Sequence, residues 1–170
     1  MQITLDTWIV SDTHFRHKNI IKYCNRPMNH DTIMVNNWHD LVKEDDTVLH
    51  LGDLMVWWAG AEQEEAIQMA SELPGKKYIL RGNHDKLSAE EFVVFTGFEI
   101  IPEFTQTFGR TKVRFSHYPQ PYDFSWHWNV HGHIHNNDDP TSKPGRHINV
   151  SIEVMDYKPV RLREVLNGKI

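Results

Sequence analysis

Cysteine is almost absent from this chain, since Cys24 is the single one among 170 residues. One thiol cannot form an internal disulfide, and it cannot supply a metal site built from several cysteines. Histidine, in contrast, occurs 12 times. This imbalance favours metal chemistry based on imidazole and carboxylate ligands.

The sequence also lacks long apolar runs and an excess of positive charge. No run of about 18 apolar residues could span a bilayer, and no basic-then-apolar segment resembles a secretory signal. The net charge of −5 disfavours general binding of the protein surface to long polyanions such as nucleic acids. We therefore expect a cytoplasmic protein with no membrane and no stable nucleic-acid partner. A chain of this length suits a single domain over residues 1–170.

The first half of the chain alternates between strand and helix patterns. Strands are predicted over Ile3–Val10, Thr47–Leu51 and Lys77–Leu80, and helices over Thr32–Val42 (with Asp31 as N-cap) and Glu62–Leu73. Such alternation predicts parallel strands joined by crossovers, with ligands bound outside the carboxyl ends of the strands.

The second half of the chain is richer in strand patterns. They cover Glu99–Phe104, Lys112–Phe115, Trp128–His131, His147–Glu153 and Val160–Leu162, after a helix over Ala89–Phe95 and with a hairpin turn at Phe108-Gly109-Arg110. Mixed or antiparallel pairing is expected here. Together the two halves predict an α/β fold in which two mixed sheets pack face to face with helices outside.

Polar motifs end each predicted strand of the first half. Asp12-Thr13-His14 follows the first strand, Gly52-Asp53 the second and Gly82-Asn83-His84-Asp85 the third. Because the carboxyl ends of parallel strands share one edge of a sheet, these loops should converge.

A further motif, Gly132-His133-Ile134-His135, occurs late in the chain. In an extended segment residues i and i+2 project to the same side, so both histidines could face one site. Gly132 would let the backbone approach closely beneath them. Taken alone, the motif fits a polar surface loop equally well.

Taken in order, these motifs and His117 resemble the five sequence blocks of the calcineurin-like metallophosphoesterases. Asn149-Val150-Ser151 is similar to the small bacterial and phage members. The resemblance implies an α-β-β-α sandwich with two divalent metal ions at the loop end of the sheets. Manganese is the first choice of metal, and iron, zinc, nickel or cobalt are alternatives.

The resemblance also implies a division of the metal ligands. Asp12, His14 and His135 would hold one ion, Asn83, His117 and His133 would hold the other, and Asp53 would bridge both. A shared carboxylate offsets the repulsion between two cations about 3.5 to 4 Å apart, and it leaves room for a bridging hydroxide as the nucleophile.

Other residues are assigned to catalysis and substrate binding. The family places the histidine at His84 beside the metals, where it could protonate the leaving oxygen. Asp85 could orient the His84 ring. Arg26 and Arg81 are candidate contacts to phosphate, because a guanidinium can bind two phosphate oxygens at once. His17 is a further candidate, because it lies close to the first motif.

The function implied is hydrolysis of a small phosphodiester or phosphomonoester, with a nucleotide-like substrate favoured. A metal-dependent nuclease and a non-catalytic scaffold of the same fold are the alternatives. A metallo-β-lactamase-like site is disfavoured because Asn137 and Asp138 stand where its HxHxDH motif needs aspartate and histidine. Protein phosphatases would place an arginine soon after Gly52-Asp53, and none occurs over residues 54–58.

Aromatic residues are concentrated in two places outside these motifs, Tyr118–Trp128 and Trp57-Trp58. Such segments could stack a nucleobase. Packing over the sheet edge or a contact between subunits is the favoured interpretation, which leaves a homo-oligomer open.

Overall fold

The computed structural model describes residues 2–56, 60–138 and 140–167. Trp57 and Trp58, a pair noted in the sequence, lie outside these residues. The strands are β1 (Trp8–Val10), β2 (Thr47–His50), β3 (Lys76–Leu80), β4 (Phe98–Ile101), β5 (Phe104–Phe108), β6 (Thr111–Phe115), β7 (Trp128–His131), β8 (His147–Asn149) and β9 (Val160–Arg161). The helices are α1 (Ile20–Cys24), α2 (His30–Leu41), α3 (Ala61–Glu72), α4 (Ala89–Thr96) and α5 (Leu162–Val165), with a 3-10 helix at Ile152–Met155.

The first sheet has five strands in the order β4-β3-β2-β1-β9. Strands β1 to β4 run parallel, with Trp8 opposite Val48 and Lys77 opposite Phe98, and β9 is antiparallel to β1. Because β1, β2 and β3 point the same way, the polar segments that follow them reach one edge of the sheet. The predicted parallel crossovers are therefore confirmed.

The second sheet has four strands in the order β5-β6-β7-β8. A hairpin pairs β5 with β6 around Gly109 (φ +60°), as predicted, and β6, β7 and β8 run parallel. A parallel bridge between Ser11 and Ser151 joins the two sheets beside the segment that follows β1. Both sheets are mixed, as the sequence predicted.

Two apolar clusters hold the layers together, one between the two sheets and one between the first sheet and the helices. Side chains alternate along a strand, so Ile9 of β1 faces the second sheet, where it lies in one cluster with Val113 and Val130. Trp8 and Val10 face the opposite way, into a second cluster that includes residues of α2, α3 and α4 such as Trp38, Ala66 and Phe92. Full burial of such a side chain stabilises the fold by about 1.5 to 3 kcal/mol.

Several predicted elements differ from the observed ones at their ends. The predicted strand Ile3–Val10 shortens to β1 because residues 4–7 form a turn closed by the Thr7 N–H on the Thr4 carbonyl. The predicted strand Glu99–Phe104 is divided at Pro102 between β4 and β5, which belong to different sheets. A proline cannot donate to a sheet ladder, so a break there is expected.

Two further predictions were wrong in detail, and one helix of the first half was missed. Asn29 rather than Asp31 precedes helix α2, and the Asp31 carboxylate accepts a bond from the Arg16 N–H instead. The predicted strand His147–Glu153 stops at Asn149, after which the chain enters the 3-10 helix. The short helix α1 was not predicted. In the described part of the chain, no helix is long and apolar enough to cross a membrane.

Candidate metal centre

Five loops meet at one end of the two sheets. The segments after β1, β2 and β3 bring Asp12, Asp53 and Asn83, while those after β6 and β7 bring His117 and His133. The convergence predicted for the first three loops extends to the second sheet.

Several candidate ligands have left-handed backbone conformations. The φ values are +60° for Asp12, +48° for His14, +58° for Asp53, +69° for His133 and +52° for His135. Such a conformation costs roughly 1 to 2 kcal/mol for a residue with a Cβ. The idea that His133 and His135 project from an extended segment was therefore wrong, although both rings lie at the site.

Close backbone approach at two glycines makes room for the carboxylates. A Cβ on Gly132 would lie 2.3 Å from Asp12 Oδ2, and one on Gly82 would lie 2.2 Å from Asp53 Oδ1. Any other residue would displace these carboxylates. The interpretation of Gly132 as a close-approach position is confirmed.

The first cluster consists of Asp12, His14 and His135, whose potential ligand atoms lie within 4.8 Å of one another. Asp12 Oδ2 accepts bonds from Ser151 Oγ–H and the His133 backbone N–H, each at 2.9 Å. Within the described residues, Asp12 Oδ1 and both ring nitrogens of His14 are buried without a hydrogen-bond partner. Buried polar atoms of this kind are costly unless a ligand uses them, and a cation here could use Asp12 Oδ1 and one of the two ring nitrogens of His14.

The second cluster consists of Asp53, His117 and His133, also within 4.8 Å. His117 Nδ1 donates to the Leu51 carbonyl at 2.8 Å, so its Nε2 is directed at the site. That nitrogen lies 3.1 Å from Asn83 Oδ1 and 3.4 Å from Asp53 Oδ2. If the His117 ring were neutral, with its proton on Nδ1, the lone pair of Nε2 would face these two acceptor oxygens. The arrangement therefore needs either a proton on Nε2 or a cation between the three atoms.

Asp53 lies between the two clusters. Its Oδ2 is 3.5 Å from His14 Nε2 and 3.4 Å from His117 Nε2. Its Oδ1 accepts a bond from the His84 backbone N–H at 2.8 Å, which fixes the orientation of the carboxylate.

Burial and neighbouring charges shift the pKa values of the candidate ligands in different directions. Burial lowers the pKa of His14 well below its usual value, so the ring is neutral and able to coordinate. Burial would also lower the pKa of His117, but its bond to Asp53 and the charges of Asp12 and Asp53 raise it to about 9. Burial would raise the pKa of Asp53, yet His117 and His14 hold it well below the usual range. Asp53 is therefore ionised at neutral pH.

His84 lies beside the clusters and belongs to neither. Its ring centroid is 5.1 Å from that of His14 and 6.3 Å from that of His17. His17 is buried next to these rings, and burial lowers its pKa to about 4.

Asp85 does not have the role expected from its position in the sequence. Its carboxylate accepts bonds from the backbone N–H groups of Asp53, Leu54 and Gly82 at 2.8, 3.0 and 2.8 Å. Burial, followed by the charge of Asp53, raises the pKa of Asp85 to about 6. The idea that Asp85 orients the His84 ring is corrected, because its oxygens are engaged by the loop backbone.

The two candidate arginine clamps are likewise engaged in the structure. The Arg26 side chain is fully buried, and its guanidinium donates to the Asp12 and Thr13 carbonyls and to Glu153. Arg81 Nη1 donates to the Asp85 and Leu87 carbonyls, each at 2.7 Å. The assignment of Arg26 to phosphate binding is corrected, since its Nε, Nη1 and Nη2 already have carbonyl or carboxylate acceptors. Arg81 is exposed and only its Nη1 is engaged, so phosphate binding by Arg81 stays a prediction.

Sequence reasoning missed two polar contributors. Glu153 accepts a bond from His135 Nδ1 at 2.9 Å, and the Tyr118 hydroxyl donates to Asn83 Oδ1 at 3.2 Å. Tyr118 directly follows the candidate ligand His117, so its position in the sequence could have pointed to a role at the site. Glu153 lies 18 residues after His135 in a segment predicted as a strand, so the sequence offered no signal for it.

The aromatic segment that follows His117 is divided between core and surface. Trp126 is buried with its ring 5.5 Å from that of His147, whereas Phe124 is 85% exposed. Trp126 therefore packs in the interior, as favoured for this segment, whereas the Phe124 ring does not.

Comparison with known proteins agrees with this geometry. The sequence profile of the calcineurin-like phosphoesterases matches residues 5–157. The chain belongs to the calcineurin-like phosphoesterase family. Membership supports metal-dependent phosphoester hydrolysis as its general chemistry.

Individual relatives resemble three quarters or more of the chain. An uncharacterised protein of Methanocaldococcus jannaschii is 36% identical over 164 residues, which covers 91% of this chain and 86% of that protein. The gene 66 protein of Mycobacterium phage L5 is 30% identical over 163 residues, covering 76% and 77%. A crystal structure of a protein of unknown function from Aquifex aeolicus superposes with a TM-score of 0.75 at 26% identity, covering 94% and 96%.

Proposed function

We propose that this protein is a binuclear metal-dependent phosphoesterase that hydrolyses small phosphodiesters or phosphomonoesters, with nucleotide-like compounds favoured. The observation that carries the proposal is the position of Asp53 Oδ2, 3.5 Å from His14 Nε2 and 3.4 Å from His117 Nε2. One carboxylate oxygen within reach of both clusters suits a pair of neighbouring cations.

The ligand set divides as the family resemblance implies. Asp12, His14 and His135 would hold one ion, Asn83, His117 and His133 the other, and Asp53 both. A mixture of imidazole and oxygen donors suits manganese, with iron, zinc, nickel and cobalt as competitors. Bound there, two divalent ions would polarise the phosphoryl oxygens and lower the pKa of a coordinated water.

Asn83 contributes a neutral oxygen to this set. Its Oδ1 lies 3.1 Å from His117 Nε2 and accepts a hydrogen bond from the Tyr118 hydroxyl at 3.2 Å. With Asp12 and Asp53 as the only carboxylates in the proposed set, the charge of two divalent ions is not fully neutralised. The site therefore attracts an anionic phosphoester.

His84 is the residue we assign to the leaving group. It belongs to neither cluster, and its backbone N–H is bonded to Asp53 Oδ1 at 2.8 Å. A protonated imidazole beside the site can donate a proton to the departing ester oxygen. This type of assistance contributes about 10²- to 10⁴-fold in rate.

The test is a hydrolysis panel on metal-stripped protein reconstituted with Mn²⁺, Zn²⁺, Ni²⁺ or Co²⁺ separately. Substrates should include p-nitrophenyl phosphate, bis(p-nitrophenyl) phosphate, cyclic and linear nucleotide diesters, and a single-stranded oligonucleotide. We expect hydrolysis of small esters that is abolished by chelation and by Asp12→Asn, with two ions bound per chain.

Each alternative predicts another pattern in the same panel. A nuclease would cleave the oligonucleotide in preference to small diesters. A non-catalytic scaffold would bind metal and hydrolyse nothing. Full activity with a single ion per chain would contradict the binuclear proposal.

A further inference from the structure

The hydrogen bond from His135 to Glu153 fixes the tautomer of a proposed metal ligand. Glu153 Oε1 is 2.9 Å from His135 Nδ1, and the Glu153 side chain is only 3% exposed. An ionised carboxylate can only accept, so Nδ1 carries a proton and Nε2 is the ring nitrogen that a metal ion can use.

Arg26 holds Glu153 in this position. Its Nε and Nη2 lie 2.8 and 2.6 Å from Glu153 Oε1, and its Nη1 and Nη2 donate to the Thr13 and Asp12 carbonyls, each at 2.6 Å. One buried guanidinium thus links the partner of His135 to the backbone of Asp12. His135 and Asp12 belong to the same cluster.

Cys24, His135 and Glu153 also lie close enough to form a third metal-binding group. Two contacts argue against that use. The Arg26 cation is 2.6 Å from Glu153 Oε1, and the Nδ1 proton of His135 points at the same oxygen. A metal ion bound through Oε1 would have to displace both, and one bound through Oε2, which has no hydrogen-bond partner among the described residues, would still lie beside the Arg26 cation. Glu153 is better described as a partner of His135 than as a ligand.

The second cluster has no equivalent support. His117 Nδ1 donates to the neutral carbonyl of Leu51, and no hydrogen bond to the His133 ring occurs among the described residues. A carboxylate partner makes an imidazole a stronger donor to a metal than a carbonyl does. Loss of such a partner lowers metal affinity by about 10- to 100-fold.

We propose that Glu153, held by Arg26, is a positioning residue that makes the Asp12–His14–His135 cluster the tighter of the two metal positions. This inference rests on the proposed function, because it presumes two ions at the site. It extends that function by assigning an order of binding and a residue that sets it.

The test is a Co²⁺ titration of the metal-stripped full chain, followed by absorption of the bound ion. Wild type should show two steps of different affinity. Glu153→Gln should weaken the tighter step about 10- to 100-fold and leave the weaker one unchanged. The matched control is Glu103→Gln, since Glu103 pairs with Arg114 and accepts the His117 backbone N–H at 3.2 Å without bonding a ring nitrogen. That variant should titrate as wild type does.

Several outcomes would overturn the inference. These are two equal steps in wild type, an unchanged tighter step in Glu153→Gln, or equal weakening of both steps. Binding of fewer than two ions by wild type would instead contradict the proposed function itself.

A second measurement covers the case in which Glu153→Gln does not fold. Long-range ¹H–¹⁵N spectra of wild type loaded with Zn²⁺ report the tautomer of each histidine directly. The inference is supported if the first equivalent of Zn²⁺ perturbs the His14 and His135 rings, with Nδ1 of His135 protonated. It is refuted if the His117 and His133 rings respond first, or if Nε2 of His135 is protonated in the loaded protein.

Discussion

The Asp85 carboxylate accepts a hydrogen bond from the backbone N–H of Asp53 at 2.8 Å. The same carboxylate accepts from Leu54 and Gly82, so it joins the loop after β2 to the loop after β3. The residue proposed to bridge two metals is thus held through its main chain by a second, buried aspartate.

Asp85→Asn should therefore destabilise the protein. An amide would place an N–H₂ group against at least one of the three backbone donors, which leaves a buried donor unpaired. The expected cost is about 1 to 3 kcal/mol in the free energy of unfolding. Urea unfolding of metal-free wild type and variant measures it. An unchanged free energy, together with a selective loss of leaving-group assistance, would restore Asp85 as a partner of the His84 ring.

Asp53→Asn should lose more activity than His14→Ala does. Asp53 is assigned to both ions, whereas His14 is assigned to one, so excess metal should restore the histidine variant more fully. Hydrolysis of bis(p-nitrophenyl) phosphate at increasing Mn²⁺ concentration makes the comparison. Better rescue of Asp53→Asn would show that the bridging assignment is wrong.

His84→Ala should separate substrates by their leaving groups. A ribose alkoxide needs a proton when it departs, and a p-nitrophenolate hardly does. We expect a loss of about 10²-fold or more on a nucleotide diester and a much smaller loss on a p-nitrophenyl diester. Metal content measured on the same samples should match wild type. Equal losses would exclude His84 as the leaving-group acid, and a lost metal would make it a ligand.

Gly132→Ala should impair metal binding through a steric clash. Its Cβ would lie 2.0 Å from Ser11 Oγ and 2.3 Å from Asp12 Oδ2, so both the Ser11 side chain and the Asp12 carboxylate must move. The matched control is Gly109→Ala in the β5–β6 turn, where φ is +60° and no atom lies within 4 Å of the new Cβ. The control should lose about 1 to 2 kcal/mol of stability from backbone strain and keep both Co²⁺ steps. Normal Co²⁺ binding by Gly132→Ala would contradict the close-approach argument.

Lys77 should make stability rise with pH in the alkaline range. Burial lowers the pKa of Lys77 to about 8, partly opposed by the charge of Glu44, and its amine donates to the Ala70 and Ser71 carbonyls at the end of α3. The unfolded chain, with a lysine pKa of about 10.4, binds more protons than the folded chain between pH 8 and that value, so this group favours folding as pH increases.

Lys77→Met should remove that contribution. The difference in the free energy of unfolding between metal-free wild type and variant should change in favour of wild type from about pH 8 to about pH 10. A constant difference across this range would show that the Lys77 amine keeps an ordinary pKa in the folded protein.

The pattern of elements in the first half was accessible from the sequence, because apolar spacing reports periodicity directly. The ends of the strands near Val10, His50 and Leu80 and the bounds of helices α2 and α3 were predicted within a few residues, whereas the short helix α1 was missed. Strand prediction failed where a single residue interrupts the pattern, as at Pro102, where the chain leaves one sheet and enters the other.

The sequence by itself determined which residue types could form the centre. Aspartate, asparagine and histidine at strand ends are informative because the carboxyl ends of parallel strands must share an edge. Asp12, Asp53 and Asn83 could be grouped on that basis, and the family resemblance added His117, His133 and His135.

Only the tertiary structure decided the roles of the charged residues around those positions. Arg26 has the side chain of a phosphate clamp, and Asp85 has that of a catalytic partner, but both form hydrogen bonds with buried backbone groups instead. Glu153 meets His135 because β7, β8 and the 3-10 helix bring distant segments together. Hydrogen-bond partners depend on which polar groups are buried side by side, and residue type and spacing do not specify that arrangement.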